Sequence, residues 1–265
     1  ITPVVENCSG YDYHGYHAIN FKEVDKRYES DDCTYQDLID AVHEHGMKII
    51  QDVVFNHTGN FGEENLYPIF QKDDDADPSN IDECMIPNYE YIPQNYASMQ
   101  PADQYYSRLN NLKNLDGNDN DKNNIYHHNG DFNWDDYTCQ ISQIAGDCVD
   151  LNTENPKVYK YLVEAYGQYI KMGVDAFRVD TVRHISRLTL NKGFITQLND
   201  IYNDVHGTTG EENFYMFGEV CTRYTQIWYR EVPALSTPFY TWKESKEYAW
   251  IDDENDPDAY ITNMA

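Results

Sequence analysis

Two acids stand at the ends of short strand-like runs. The first run reads Gly173-Val174-Asp175-Ala176-Phe177-Arg178-Val179-Asp180, and the second reads Phe214-Tyr215-Met216-Phe217-Gly218-Glu219-Val220. Alternation along a strand puts Arg178 and Asp180 on one face and Phe177 and Val179 on the other. An apolar outer face with an inward Arg–Asp pair is expected of a barrel strand whose C-terminal end carries chemistry. The Arg178 guanidinium would favour ionised Asp180, as a nucleophile requires. The apolar residues and glycine before Glu219 would raise its pKa and keep it a proton donor. One charged and one protonated carboxyl form the pair that cleaves glycosidic bonds. From spacing alone, a structural ion pair beside an unrelated acid is an equal reading.

The elements that must position these acids alternate strand with helix, the signature of parallel βαβ units. Thr34 reads as the N-cap of a helix that runs through His45-Gly46, with Leu38, Ile39 and Val42 as its apolar stripe. Met47 to Asn56 follows as a continuous apolar strand of the buried parallel type. A second helix opens at Asn155-Pro156, proline suiting the first turn. It carries Val158, Tyr161, Leu162, Ala165, Tyr166, Tyr169 and Ile170 at helical spacing until Gly173. A third helix bears Phe194, Leu198, Ile201, Tyr202 and Val205 and leads to the Glu219 strand. Between Asn56 and Asn155 the pattern breaks into a stretch rich in Asp, Asn and Tyr. A structureless loop of that length is improbable in a compact domain. An inserted subdomain after a barrel strand explains it better, because such loops build the active-site face.

The chain has 265 residues, near the roughly 250 of one α/β barrel. Its formal charge of −27 argues against nucleic acid and anionic membranes, whose binders carry basic surfaces. A neutral polymer or a cation suits it, and so does simple solubility. Twenty-four tyrosines and four tryptophans suit sugar faces as well as ordinary packing. No stretch approaches the ~20 apolar residues of a membrane span. Without an initiator Met or a signal peptide, the chain reads as a processed or excised segment. The six cysteines show no zinc spacing. Cys139 and Cys148 could close a short loop in an oxidising compartment. Asn7-Cys8-Ser9 and Asn56-His57-Thr58 match the glycosylation sequon weakly.

Several short motifs together resemble the α-amylase family, glycoside hydrolase family 13. Asp52-Val53-Val54-Phe55-Asn56-His57 resembles the first signature at the end of the third barrel strand. Val149-Asp150-Leu151-Asn152 resembles the motif closing the inserted calcium-binding domain. Gly173 to His184 resembles the second signature, and Phe217-Gly218-Glu219-Val220 the third. Ile1 to Val5 with His14-Gly15-Tyr16 resembles the end of the second strand and its loop.

The resemblance implies a (β/α)8 TIM barrel, here partial, from about the end of strand two to strand five. Barrel residues 1–57 and 153–265 would flank an inserted domain B at 58–152. Asp180 matches the nucleophile, Glu219 the acid and base, and Arg178 the residue that orients and ionises the nucleophile. Tyr16 would stack on the sugar at the cleavage subsite, and His57 would hydrogen-bond its hydroxyls. Arg183 and His184 would reach the sugar on the leaving-group side, with His14 in the same cleft. Asn56, Asp150 and the backbone carbonyl of His184 match the ligands of a structural Ca2+, whose need for oxygen ligands they meet. A further ligand from the insertion has no assignment. The run Asp116, Asn118, Asn120 lacks the glycine and glutamate of a calcium loop and reads as a solvated turn.

The implied activity is retaining, endo-acting hydrolysis of α-1,4 bonds in an α-glucan polysaccharide or maltooligosaccharide, by a monomeric extracellular or cell-surface protein. Transglycosylation or α-1,6 cleavage would use the same residues. The family's fourth signature, an Asn-His-Asp run, has no match after Glu219. A non-catalytic starch-binding protein is the remaining alternative if the chain ends at Ala265.

Overall fold

A computed structural model describes residues 1–7, 13–59, 125–127, 129–132, 140–145, 148–185, 189–208 and 213–220, together with the backbone of 228–229 and 232–233. In chain order the elements begin with β1 (Val5–Asn7) and β2 (Ala18–Val24), an antiparallel pair. Helix α1 (Tyr35–Glu44) leads into β3 (Ile50–Val53). Strands β4 (His57–Gly59) and β5 (Cys148–Asp150) pair antiparallel, His57 opposite Asp150. Helix α2 (Pro156–Met172) leads into β6 (Ala176–Val179), and α3 (Thr196–His206) into β7 (Tyr215–Gly218). Two-residue strands β8 (Trp228–Tyr229) and β9 (Val232–Pro233) form a separate pair.

The strands that matter for chemistry form one parallel sheet in the order β3-β6-β7. Ile1 extends it beyond β3: its ammonium donates to the Ile50 carbonyl at 2.8 Å, and its carbonyl accepts from Asp52 N at 3.0 Å. Register sets Asp52 beside Arg178, and Arg178 beside Phe217. Alternation then divides the faces as the sequence implies. Gln51, Val53, Phe177 and Val179 are buried on one face, and Arg178 lies on the other.

Helix α2 covers the buried face. Each of its seven spaced apolar positions is buried, each contributing about 1.5–3 kcal/mol when large. Tyr166 sits at its centre, its ring against Phe55 (5.2 Å) and Phe177 (6.2 Å). Its hydroxyl donates to the Val54 carbonyl at 3.1 Å, tying the helix to the chain just beyond β3. Asn155 caps the helix by accepting from Lys157 N, and Gly173 ends it with φ 106°.

Some expectations need correction. Thr34 caps α1 through a reciprocal capping box with Asp37, but Leu38 is 44% exposed and Tyr35 takes its place in the core. Tyr35 wins because its hydroxyl reaches the buried Gln51 side chain at 2.8 Å. The expected strand from Met47 to Asn56 is a ladder of only four residues, although Val54, Phe55 and Asn56 beyond it are buried. A π-helix (Thr189–Ile195) precedes α3 and carries Phe194 into a stack on Phe55 at 4.3 Å. Val205 is exposed rather than core.

Neither sequon fits an attached glycan. Asn56 is 1% exposed, and the buried Asn7 side chain accepts from His17 N and donates to the Val5 carbonyl. Cys139 and the Asp116–Asn120 run lie outside the described residues, as does most of 58–152. No described helix is long and apolar enough to cross a membrane.

Candidate active site

The C-terminal ends of the three parallel strands converge on the Arg178 guanidinium. Its NH1 donates to Asp180 Oδ1 at 2.7 Å and to Asp52 Oδ2 at 2.8 Å, and its NH2 lies 3.2 Å from Glu219 Oε2. Backbone bonds fix each carrier: Asp180 N donates to the Val53 carbonyl (2.9 Å), and Glu219 N to the Val179 carbonyl (2.8 Å). One acid from each strand and a shared cation therefore meet at one edge of the sheet.

Asp52 is the residue that sequence reasoning overlooked. It was legible only as one acid in an otherwise apolar run, on the inward parity of the strand. Its Oδ2 also accepts from the Tyr16 hydroxyl at 2.9 Å. Burial raises the Asp52 pKa, and the Tyr16 and Arg178 hydrogen bonds oppose that rise. Burial works against the charged Arg178, yet Asp52 and Asp180 outweigh it and hold the guanidinium protonated.

Asp180 behaves differently from expectation. Burial pushes its pKa up to about 6, opposed by Arg178 and reinforced by the charges of Asp52 and Glu219. Arg178 thus moderates the rise without reversing it, because two further carboxylates share the same cation. Glu219 also departs from the apolar enclosure expected of it, with its side chain 45% exposed at the edge of the described sheet.

Tyr16 is held by the loop before β2. His14 Nδ1 accepts from Tyr16 N at 3.0 Å, and the two rings stack at 5.5 Å. Gly15 between them has φ +89°, and a Cβ there would lie 2.2 Å from the Pro3 carbonyl oxygen, so only glycine fits. Burial, then the Asp52 contact, raises the Tyr16 pKa and keeps its hydroxyl a donor.

His57 is 3% exposed, and burial followed by the nearby His17, His184 and His14 pushes its pKa down to about 3, so its imidazole is neutral. His184 is buried with its ring edge-on to Phe132 at 5.1 Å. Arg183, expected to face a sugar, is 1% exposed, and its carbonyl accepts from Gln140 Nε2 at 2.6 Å. Both belong to the 3-10 turn Val182–His184 that follows Asp180.

The expected metal ligands give a mixed picture that includes residues not anticipated. Asn56 and Asp150 are buried, and the Asn56 carbonyl accepts from Leu151 N at 2.8 Å. Asn56 Oδ1 and Asp150 Oδ1 are buried acceptors without a donor in good hydrogen-bond geometry, although the Asn56 amide lies near enough to favour the Asp150 carboxylate. An oxygen-seeking cation would offset the cost of burying them. The other oxygen, Asp150 Oδ2, meets His127 Nδ1 at 2.5 Å, and His127 Nε2 meets Glu154 at 2.7 Å. Burial raises Asp150 to about 7 with His127 opposing, while burial opposes and the two acids raise His127 to about 10. Isolated from any motif, His127, Glu154 and Gln140 gave no sequence signal.

The model of the alpha-amylase catalytic domain matches residues 1–246. The chain belongs to the alpha-amylase family. A cyclomaltodextrin glucanotransferase of Klebsiella oxytoca is 28% identical over 229 residues, 83% of this chain and 28% of that protein. An alpha-amylase of Streptomyces lividans is 27% identical over 237 residues, 81% of this chain and 23% of that protein. The chain thus spans about a quarter of the length of these relatives. The alpha-amylase fold also appears in solved structures. An Anoxybacillus alpha-amylase superposes with TM-score 0.53 at 22% identity, over 92% of this chain and 38% of that one. A γ-cyclodextrin glucanotransferase of Bacillus clarkii gives 0.54 at 24%, over 82% and 26%. These likenesses support a (β/α)8 fold for the chain.

Proposed function

We propose that this chain carries the nucleophile and the acid/base of a retaining site that cleaves α-1,4 bonds in starch-like glucans. The observation that carries the reading is the Arg178 guanidinium, which touches both Asp180 and Glu219 across adjacent parallel strands. A retaining reaction needs the two carboxyls about 5–5.5 Å apart, and contact with one guanidinium holds Asp180 and Glu219 near each other.

The chemistry follows from the arrangement. An Asp180 oxygen attacks the anomeric carbon while the glycosidic C–O bond breaks and Glu219 gives its proton to the departing oxygen. The Glu219 carboxylate then takes a proton from water, whose oxygen attacks the same carbon and releases Asp180. Arg178 keeps enough of Asp180 ionised near neutral pH for the first step. Tyr16, braced on Asp52, offers an aromatic face beside the nucleophile, with His14 stacked behind it. His57 is buried near His14 and His184, and Arg183 and His184 are buried in the turn that follows Asp180.

Similarity to cyclomaltodextrin glucanotransferases favours a second reading, in which a sugar hydroxyl replaces water in the second step. The residues here serve both. Residues 1–57 and 153–265 would be barrel, and 58–152 an inserted domain whose two ends β4 and β5 zip together. Asn56 Oδ1, Asp150 Oδ1 and the His184 carbonyl would hold a Ca2+. Bound there, the ion would neutralise buried oxygens and brace insertion against barrel. Acting on a polymer that crosses no membrane, the activity would lie outside the cell or at its surface.

Proton NMR of maltoheptaose with the protein and calcium tests the reading. Early α-anomer that disappears in Glu219→Gln is the expected result. Early β-anomer, or unchanged turnover in that variant, overturns it. A larger cyclic or longer product in place of maltooligosaccharides would select transfer.

A further inference from the structure

The chain reverses immediately after Asp180. Thr181 adopts the left-handed region, φ 50° and ψ 34°, the one non-glycine residue with positive φ among the described residues. Such a conformation costs about 1 kcal/mol or more and persists only where its surroundings impose it. Its consequence is to lay Val182 over Gly218, the residue that precedes Glu219. A Cβ built on Gly218 would lie 2.7 Å from Val182 Cγ2, 2.9 Å from its Cβ and 3.1 Å from its Cγ1.

The closeness to the Val182 Cβ is what matters. That atom is attached to the backbone, and valine is stiff at χ1, so no rotamer change clears the clash. Either the turn or the strand has to move. The turn is held from several sides: Asp180 N to the Val53 carbonyl, His184 N to the Thr181 carbonyl, Ile185 N to the Val182 carbonyl, and Gln140 Nε2 to the Arg183 carbonyl. Strand β7 is the edge of the described sheet, held at this end by Glu219 N on the Val179 carbonyl. Displacement therefore falls on Glu219, whose carboxylate stands 3.2 Å from Arg178.

We propose that Gly218 and Val182 form the spacer that sets the separation of the two carboxylates. Gly218 is a positioning residue, required for its lack of a side chain, and Val182 is the stop against which β7 rests. The inference rests on the assignment of Asp180 and Glu219 as nucleophile and acid. It adds that the acid's reach is set from the nucleophile's own turn, so the two cannot be moved independently.

The test uses Gly218→Ala, Val182→Gly and the double variant, assayed on maltoheptaose and on an aryl maltoside whose leaving group needs no proton. Displacing the acid should cost Gly218→Ala about 100-fold in kcat/KM on maltoheptaose, with less than about 10-fold on the aryl substrate. Val182→Gly in the same chain removes the Cβ as well as both methyls and should restore most of that loss, because the two substitutions act on one contact. Equal losses on both substrates, or no recovery in the double variant, overturn the proposal. If Gly218→Ala does not fold, Val182→Gly decides alone: removing the stop should lower maltoheptaose cleavage selectively, and an unchanged ratio between the substrates overturns the spacer. Wild-type protein that cleaves neither substrate and binds no cationic iminosugar by calorimetry overturns the carboxylate assignment, and the spacer with it. An active wild type with an unrescued double variant removes the spacer alone.

Discussion

Tyr16 and Arg178 donate to the same oxygen. Asp52 Oδ2 receives the phenol at 2.9 Å and the guanidinium at 2.8 Å. A residue with no assigned chemistry thereby aligns the aromatic face and the cation that flank Asp180. Asp52→Asn keeps the volume but offers one amide oxygen and a competing NH2. It should lower kcat/KM on maltoheptaose about 10- to 100-fold, the scale of a misplacement near 1 Å. Tyr16→Phe, which removes only the hydroxyl, should cost less than Asp52→Asn; the reverse order would show that Asp52 does not act through Arg178.

Asp180 must be ionised to attack, and its pKa is pushed up to about 6. The acid limb of kcat/KM, which reports the free enzyme, should therefore fall near pH 6 and not near the ordinary carboxylate value. Removing the opposing cation in Arg178→Met should move that limb to higher pH. A limb that stays in place would assign it to another group.

The same raised pKa has a stability consequence. Asp180 binds its proton more tightly folded, at about 6, than unfolded, near 3.8. The stabilisation it contributes is fully present below pH 3.8 and is lost as pH rises through about 6. Asp180→Asn removes that dependence. It should raise Tm at pH 8 by a few degrees, with each 1 kcal/mol worth about 2–4 °C at this size, and change it little at pH 3.5. Calorimetric scans at both pH values measure this, and a lower Tm at pH 8 would show that the Arg178 bond outweighs burial.

Gly15 carries two constraints at once, a positive φ and a Pro3 carbonyl oxygen only 2.2 Å from where a Cβ would stand. Gly15→Ala should destabilise by about 1–3 kcal/mol and raise KM as Tyr16 leaves its seat on Asp52. Thermal melts and steady-state kinetics on one preparation check both effects. Loss of stability with unchanged KM would separate the loop from the cleft.

Chelation should lower Tm, because a ligand bound only to the folded chain stabilises it by mass action. Asp150→Asn, which weakens an oxygen ligand, should abolish most of that shift. A chelator-insensitive melt would remove Asn56 and Asp150 from the metal assignment.

Much of this protein was legible in one dimension. The period of α2, capped by Asn155 and ended by Gly173, follows from residue types alone, because helix spacing and caps are local properties. The inward placement of Arg178 and Asp180 likewise follows from strand alternation, which only pairing with β3 and β7 could have disturbed. What the sequence could not show was charge balance. Arg178 beside Asp180 implied a lowered pKa, but the fold brings Asp52 and Glu219 to the same cation from neighbouring strands, and burial then prevails. Nor could it show the seat of Tyr16 on Asp52, the grip of His127 on Asp150 and Glu154, or Val182 against Gly218. Each joins residues brought together only by parallel pairing or by a turn. Local pattern selects the elements, whereas desolvation and through-space contact exist only once they are packed.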